Sequence, residues 1–228
     1  RMIEAADVSG KVLLVEENHR RDPVYRLVKS VLDSGALGSP RLMHVASFGG
    51  TRNLPHGTAW RHIKDRGGFL LDYGVHDADL FGYFMGDIES VFAETRLWEE
   101  TRNTAQEPDS WGLATYYSHR VKEDLERAET IKATSEDMSL GLVRFTSGAI
   151  GYYGKSIAAS GQSLSTDVIY CDEGSIQLPS SRSGKSAYVT RLGAQNPISQ
   201  EALLGLVPDF VVDDLTSVFF DGSCRLTS

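Results

Sequence analysis

Asp72, His76 and Asp79 are the residues of this chain best placed for proton chemistry, because a helix would set them at i, i+4 and i+7 on one face. They belong to the segment Gly67-Gly68-Phe69-Leu70-Leu71-Asp72-Tyr73-Gly74-Val75-His76-Asp77-Ala78-Asp79, where a glycine pair and three apolar residues lead into the acids. A carboxylate beside an imidazole can accept and return a proton near neutral pH. General acid-base catalysis of that kind is worth roughly 10²- to 10⁴-fold in rate. Spacing alone leaves two other readings open. Asp72 caps a helix that starts at it and His76 is a core residue, or Asp72, His76 and Asp79 ligate a metal, for which the sequence offers no obvious further ligand.

Two further groups suit small polar substrates. Trp60-Arg61 pairs a flat apolar surface with a fixed positive fork, suited to a hydroxylated or anionic ligand and equally to a surface arginine packed on a tryptophan. Asn18-His19-Arg20-Arg21-Asp22-Pro23 joins an apolar run to a helix start, a place where α/β proteins put polar site groups, and where two adjacent arginines are equally often just solvated.

The elements that must hold these residues are legible in pattern. Met2 to Asp7 reads as a short helix, broken at Ser9-Gly10, and the apolar run in Lys11 to Glu17 reads as a strand buried on both faces. Asp22 and Pro23 form an N-cap and N1 pair ahead of Val24, Leu27, Val28, Val31 and Leu32, and Gly35 closes that helix. Arg41 to Phe48 and Val91 to Trp98 read as strands, and the helix carrying Asp72 and His76 stops at Gly86. Residues 99–137 read as a polar surface excursion with a helix-compatible stretch from Val121 to Ile131. Beyond it the chain is β-rich: Ser139 to Phe145 and Ala149 to Ile157 around Thr146-Ser147-Gly148, Leu164 to Cys171 and Ser175 to Leu178 around Asp172-Glu173-Gly174, then Ala187 to Leu192. Antiparallel strands with a few helices argue for an α+β fold on one open sheet.

Composition excludes several classes. The chain has 228 residues, 41% of them hydrophobic, enough for a core. Its 31 acids against 23 bases give a net charge of -8, with no basic tract to track phosphates, so nucleic acid is not an expected partner. No run reaches the roughly 18 apolar residues of a membrane span, and a cytoplasmic protein is expected. Two distant cysteines, Cys171 and Cys224, suggest neither a disulfide framework nor a zinc site. G-x-G-x-x-G, Walker, G-x-S-x-G and H-E-x-x-H motifs are absent from the chain.

The ordered set Asn18-His19-Arg20-Arg21-Asp22-Pro23, Ser34-Gly35-Ala36-Leu37-Gly38, Trp60-Arg61, Gly67 to Asp79 and Phe145-Thr146-Ser147-Gly148-Ala149 resembles the Gfo/Idh/MocA oxidoreductases, the family of glucose-fructose oxidoreductase and inositol dehydrogenase. The resemblance implies an α+β domain with an open, mainly antiparallel sheet and helices on one face. Residues 1–18 would be the last helix and strand of a Rossmann domain, and 19–228 the substrate-binding and oligomerisation domain. It implies an NAD- or NADP-dependent dehydrogenase of a sugar, cyclitol or related polyol. His76 would be the general base and Asp72 its catalytic partner, with Arg61, Trp60 and Asp79 toward substrate and Asn18, His19 and Arg20 toward cofactor. No metal is implied, and the sheet would form a homodimer or homotetramer. The family's Gly-rich loop and its E-K-P lysine would lie upstream of Arg1, so residues 1–228 alone are expected to be inactive and not to bind the cofactor. Dehydration or glycoside cleavage by transient oxidation, and a non-catalytic assembly module, are the alternatives the same fold allows.

Overall fold

The computed structural model describes residues 1–53, 59–103 and 129–218. His56, residues 104–128 with most of the helix expected from Val121, and Cys224 lie outside them. Helix α1 (Met2–Ser9) ends where Gly10 turns to φ 64°. The strand expected over Lys11–Glu17 does not form. A run of apolar residues becomes a strand only where neighbours accept its amides, and among the described residues none pairs with it; Val12 is 94% exposed.

Helix α2 (Pro23–Asp33) follows the expected signals: the Asp22 carboxylate accepts the Val24 N–H at 3.0 Å, Pro23 occupies the first turn, and Val24, Leu27, Val28, Val31 and Leu32 are buried on one stripe. It ends at Asp33, with Ser34 as its C-cap just ahead of Gly35. Helix α3 (Phe69–Met85) runs to Gly86, as the sequence indicates.

The strands are β1 (Pro40–Phe48), β2 (Ile88–Arg96), β3 (Thr101–Asn103), β4 (Thr130–Lys132), β5 (Met138–Phe145), β6 (Ile150–Ser156), β7 (Leu164–Cys171), β8 (Gly174–Leu178) and β9 (Tyr188–Arg191). Seven of them form one sheet in the order β2-β5-β6-β1-β7-β8-β9. Only the β1–β6 ladder is parallel, so the sheet is mixed and mainly antiparallel, as expected for the α+β class. Short helices α4 (Gln200–Leu204) and α5 (Asp214–Ser217) follow.

One face of the sheet is covered. Met43 and Val45 of β1, Val143 and Phe145 of β5, and Ile169 of β7 share a core with Leu27 and Val31 of α2 and Phe81 and Phe84 of α3. The period of two sends the alternate residues to the other face. There one register row crosses the whole sheet through Phe92, Leu142, Tyr152, His44, Val168, Gln177 and Tyr188. Phe92, Leu142, Tyr170 and Tyr188 of that face are about half exposed or more.

The excursion is not simply surface. Arg102, at its start, and Asp137, at its end, form an ion pair at 2.9 Å with both side chains essentially inaccessible. The carboxylate of Asp137 also accepts the N–H groups of Trp98 and Glu99 at 3.0 and 2.9 Å, which is why so polar a segment can be buried at its base. Ile131 lies in β4, not in a helix. Among the described residues no helix is long and apolar enough to cross a membrane.

Candidate active site

Helix α3 begins earlier than Asp72. Its N-cap is Gly68, at φ 84° and without a side-chain cap of its own, so Phe69, Leu70 and Leu71 precede Asp72 in the first turn. The reading of Asp72 as N-cap is therefore corrected. The orphan amides of the first turn are satisfied from far along the chain: Phe69 donates to Ser135 Oγ at 3.2 Å and Leu70 to Glu136 Oε1 at 2.8 Å. Gly68 is required on two counts: its backbone is left-handed, and a Cβ at this position would lie only 2.4 Å from Ser135 Oγ.

The face carrying Asp72, His76 and Asp79 is zipped to two preceding segments. Arg61 Nε donates to Asp72 Oδ2 at 2.6 Å, and its guanidinium lies 4.5 Å from the Trp60 ring centre and 5.7 Å from that of Tyr73. One turn on, His76 Nδ1 is 2.7 Å from Glu17 Oε2. A further turn on, Asp79 takes Arg20 Nε at 2.6 Å and a second contact from the same guanidinium. The carboxylate that holds the imidazole is thus Glu17; Asp72 shares the face of His76, as expected, but is engaged by Arg61. With Nδ1–H donated to Glu17, the neutral ring keeps its Nε2 lone pair as a proton acceptor. The same logic orients the histidine of hydrolytic triads.

His19 packs flat on His76, ring centres 4.0 Å apart and planes within 16°. Burial first, then repulsion from His76 whenever that ring is protonated and from Arg182 and Lys155, pushes His19 down to about 4, against a smaller opposing effect of Asp79, so the ring stacked on His76 is neutral. Arg20 is committed to Asp79, and Asn18 is exposed where the short turn His19–Arg21 begins.

Beneath this face, toward the sheet, Asp77 pairs with Lys155 of β6 at 2.6 Å. Burial raises the Asp77 carboxyl above the usual range, while Lys155 opposes the shift. Asp167 of β7 is pushed up to about 6 by burial and then by the charge of Asp77. His62, in the Trp60-Arg61 turn, is 3% exposed and lowered to about 4 by burial, then by Arg102 and Arg61. Its carbonyl accepts the N–H groups of Thr134 and Ser135 at 2.8 and 3.0 Å.

Sequence reasoning missed Glu17, Lys155, Ser135 and Glu136. Glu17 had a signal, since it ends the apolar run immediately before the polar joint at Asn18. The others are remote in sequence from the helix they hold. Among the described residues no group of three or more His, Cys, Asp or Glu is placed to hold a metal.

A mostly antiparallel sheet with one naked face, and a covering helix whose outer stripe carries a carboxylate-held histidine, define a class of α+β domain. A sequence model described as "GFO/IDH/MocA C-terminal domain" matches residues 25–177, and the chain belongs to that family. Myo-inositol 2-dehydrogenase of Thermotoga maritima is 30% identical over 95 residues, 41% of this chain and 27% of that protein. Levoglucosan dehydrogenase of Pseudarthrobacter phenanthrenivorans is 27% identical over 181 residues, 77% of this chain and 44% of that one. Among solved structures, an NAD binding oxidoreductase from Klebsiella pneumoniae superposes with a TM-score of 0.62 at 24% identity, covering 84% of this chain and 46% of that chain. A levoglucosan dehydrogenase in complex with NADH and L-sorbose gives 0.63 at 20% identity, covering 87% and 50%. These likenesses establish the fold, and the chain spans half or less of the length of each of these relatives.

Proposed function

We propose that the chain is the substrate domain of an NAD(P)-dependent dehydrogenase acting on a sugar, cyclitol or related polyol. The observation that carries this reading is the Glu17–His76 pair at 2.7 Å on α3, in a domain of a family whose relatives include an inositol and a levoglucosan dehydrogenase. A bound nicotinamide would supply the hydride acceptor. His76 Nε2 takes the hydroxyl proton of the alcohol, and Glu17 fixes the ring and stabilises the imidazolium that results. Asp72, held by Arg61, faces the substrate one turn away, and the Trp60 and Tyr73 rings give the guanidinium a fixed orientation. Asp79 orders Arg20 and with it the turn bearing Asn18 and His19, which would border the cofactor. Residues 1–18 serve as the edge of the nucleotide-binding domain, and the half-exposed apolar row on the open sheet serves as the contact between subunits of a homodimer or homotetramer.

The test is reduction of NAD or NADP by the full-length protein with a panel that includes myo-inositol, levoglucosan and simple hexoses. Turnover on at least one of them is expected. Inactivity on every member with cofactor demonstrably bound overturns the reading.

A further inference from the structure

The excursion at 99–137 is fastened to the site through its base. On the outgoing side, Arg102 Nη1 donates to the Thr51 carbonyl at 2.8 Å and the Asn103 N–H to the Arg52 carbonyl at 2.8 Å, which holds the start of the loop that leads to Trp60 and Arg61. On the return side, Thr134 and Ser135 hold the His62 carbonyl, and the Lys64 N–H donates to Thr134 Oγ1 at 3.0 Å, which holds the end of that loop. Ser135 and Glu136 then take the first two amides of α3, and the Ser135 hydroxyl donates onward to Glu136 Oε2 at 3.0 Å. Asp137 closes the base by binding Arg102, Trp98 and Glu99 at once.

We propose that Glu136, with Ser135, is a positioning residue: it caps α3 from the return side of the excursion and so sets the register between Asp72 on the helix and Arg61 on the loop. Most helices are capped by a side chain at their own N-cap position. Here Gly68 has none, and the helix that carries the catalytic face begins on side chains 66 residues away. A carboxylate at that place satisfies an orphan amide and also meets the positive end of the helix. The base of the excursion thereby holds the backbone on both sides of the Arg61–Asp72 ion pair, at the His62 carbonyl and at the first turn of α3. The inference rests on the dehydrogenase reading for its kinetic consequence and is independent of it for its geometry.

The test uses the full-length protein with Glu136→Ala, Glu136→Gln and Ser135→Ala. Two readouts separate position from activity. The first is solvent exchange of the Phe69, Leu70 and Asp72 amides and of the Arg61 Nε–H, which the Asp72 carboxylate protects. Glu136→Ala is expected to speed exchange at Leu70 and at Arg61 Nε–H by roughly 2- to 30-fold, the range a lost cap produces. Glu136→Gln, which keeps an acceptor oxygen, is expected to restore protection. Ser135→Ala should act first on Phe69. The second readout is turnover, where Glu136→Ala lowers kcat more than it raises KM and Glu136→Gln recovers it. Wild-type exchange at Arg61 Nε–H in Glu136→Ala overturns the proposal, as does fast exchange that Glu136→Gln fails to restore. If the parent protein turns over no alcohol, the dehydrogenase reading falls, and the Arg61 Nε–H signal alone decides the positioning role.

Discussion

His76 Nδ1 lies 2.7 Å from Glu17 Oε2, so the imidazole on α3 is held by a residue from the segment preceding the domain's first capped helix. That contact spans 59 positions and joins the N-terminal stretch to the helix face that carries Asp72 and Asp79. In the proposed mechanism it gives Glu17 the orienting role. If the proposed dehydrogenase reading holds, Glu17→Gln is expected to lower kcat of the full-length protein by about 10- to 100-fold while leaving KM near its original value, because the proposed proton acceptor loses its fixed tautomer while its surroundings remain. Steady-state kinetics decide it, and an unchanged kcat removes Glu17 from the mechanism.

Arg61 and Asp72 act as a unit. Both side chains are largely shielded, and Arg61 is also stacked on Trp60. Arg61→Lys keeps the charge and loses the planar stack, so it is expected to raise KM severalfold. A double-mutant cycle of Arg61→Ala with Asp72→Ala should show coupling of about 0.5 to 3 kcal/mol in folding free energy. Additive effects in denaturant unfolding would show that the pair is not a unit.

Gly68 separates backbone strain from steric conflict. Gly68→Ala adds a Cβ at 2.4 Å from Ser135 Oγ on a backbone at φ 84°, whereas Gly10→Ala meets nothing within 4 Å at φ 64°. Both incur the left-handed penalty, and only the first also displaces the cap of α3. Thermal or denaturant unfolding should show Gly68→Ala destabilising by roughly 2 to 4 kcal/mol and Gly10→Ala by about 1 kcal/mol. Equal losses would mean the Ser135 contact is unimportant.

Acid sensitivity follows from His62. Its folded value of about 4 lies below the ordinary 6.5, so between those limits the unfolded chain binds more protons. Stability from this group is complete above 6.5 and is lost as pH falls toward 4, with a slope of at most about 1.4 kcal/mol per pH unit. Asp167 has the opposite sign: raised from 3.8 to about 6, it weakens the fold as pH climbs through that interval. Urea unfolding across this range should show His62→Gln flattening the acid loss and Asp167→Asn steepening it. A profile that neither variant alters contradicts the burial assigned to both groups.

Much of the fold is written in local pattern. The Asp22-Pro23 start of α2, its apolar stripe, the Gly86 stop of α3 and the β5–β6 and β7–β8 hairpins all rest on contacts within a few residues, which a sequence displays directly. Lys11–Glu17 shows the limit of that reasoning, since apolar composition signals a strand while pairing depends on neighbours. The site was half legible. Asp72, His76 and Asp79 share a helical face by spacing alone, but their partners Arg61, Glu17 and Arg20 come from 11, 59 and 59 residues away. The pairing of His76 with Glu17 in place of Asp72 is a tertiary fact. So is the cap that Ser135 and Glu136 place on α3, which the polar composition of the excursion disguised as surface.

In the proposed reaction His76, held by Glu17, accepts the proton of an alcohol whose hydride leaves to nicotinamide. Single-turnover reduction of bound NAD or NADP by the best alcohol substrate isolates that step, with the full-length protein compared against its His76→Ala variant at saturating cofactor and alcohol. A fall of roughly 10²- to 10⁴-fold in the rate of reduction is expected, with cofactor binding retained. A variant that reduces the cofactor at the unaltered rate would contradict the role given to His76.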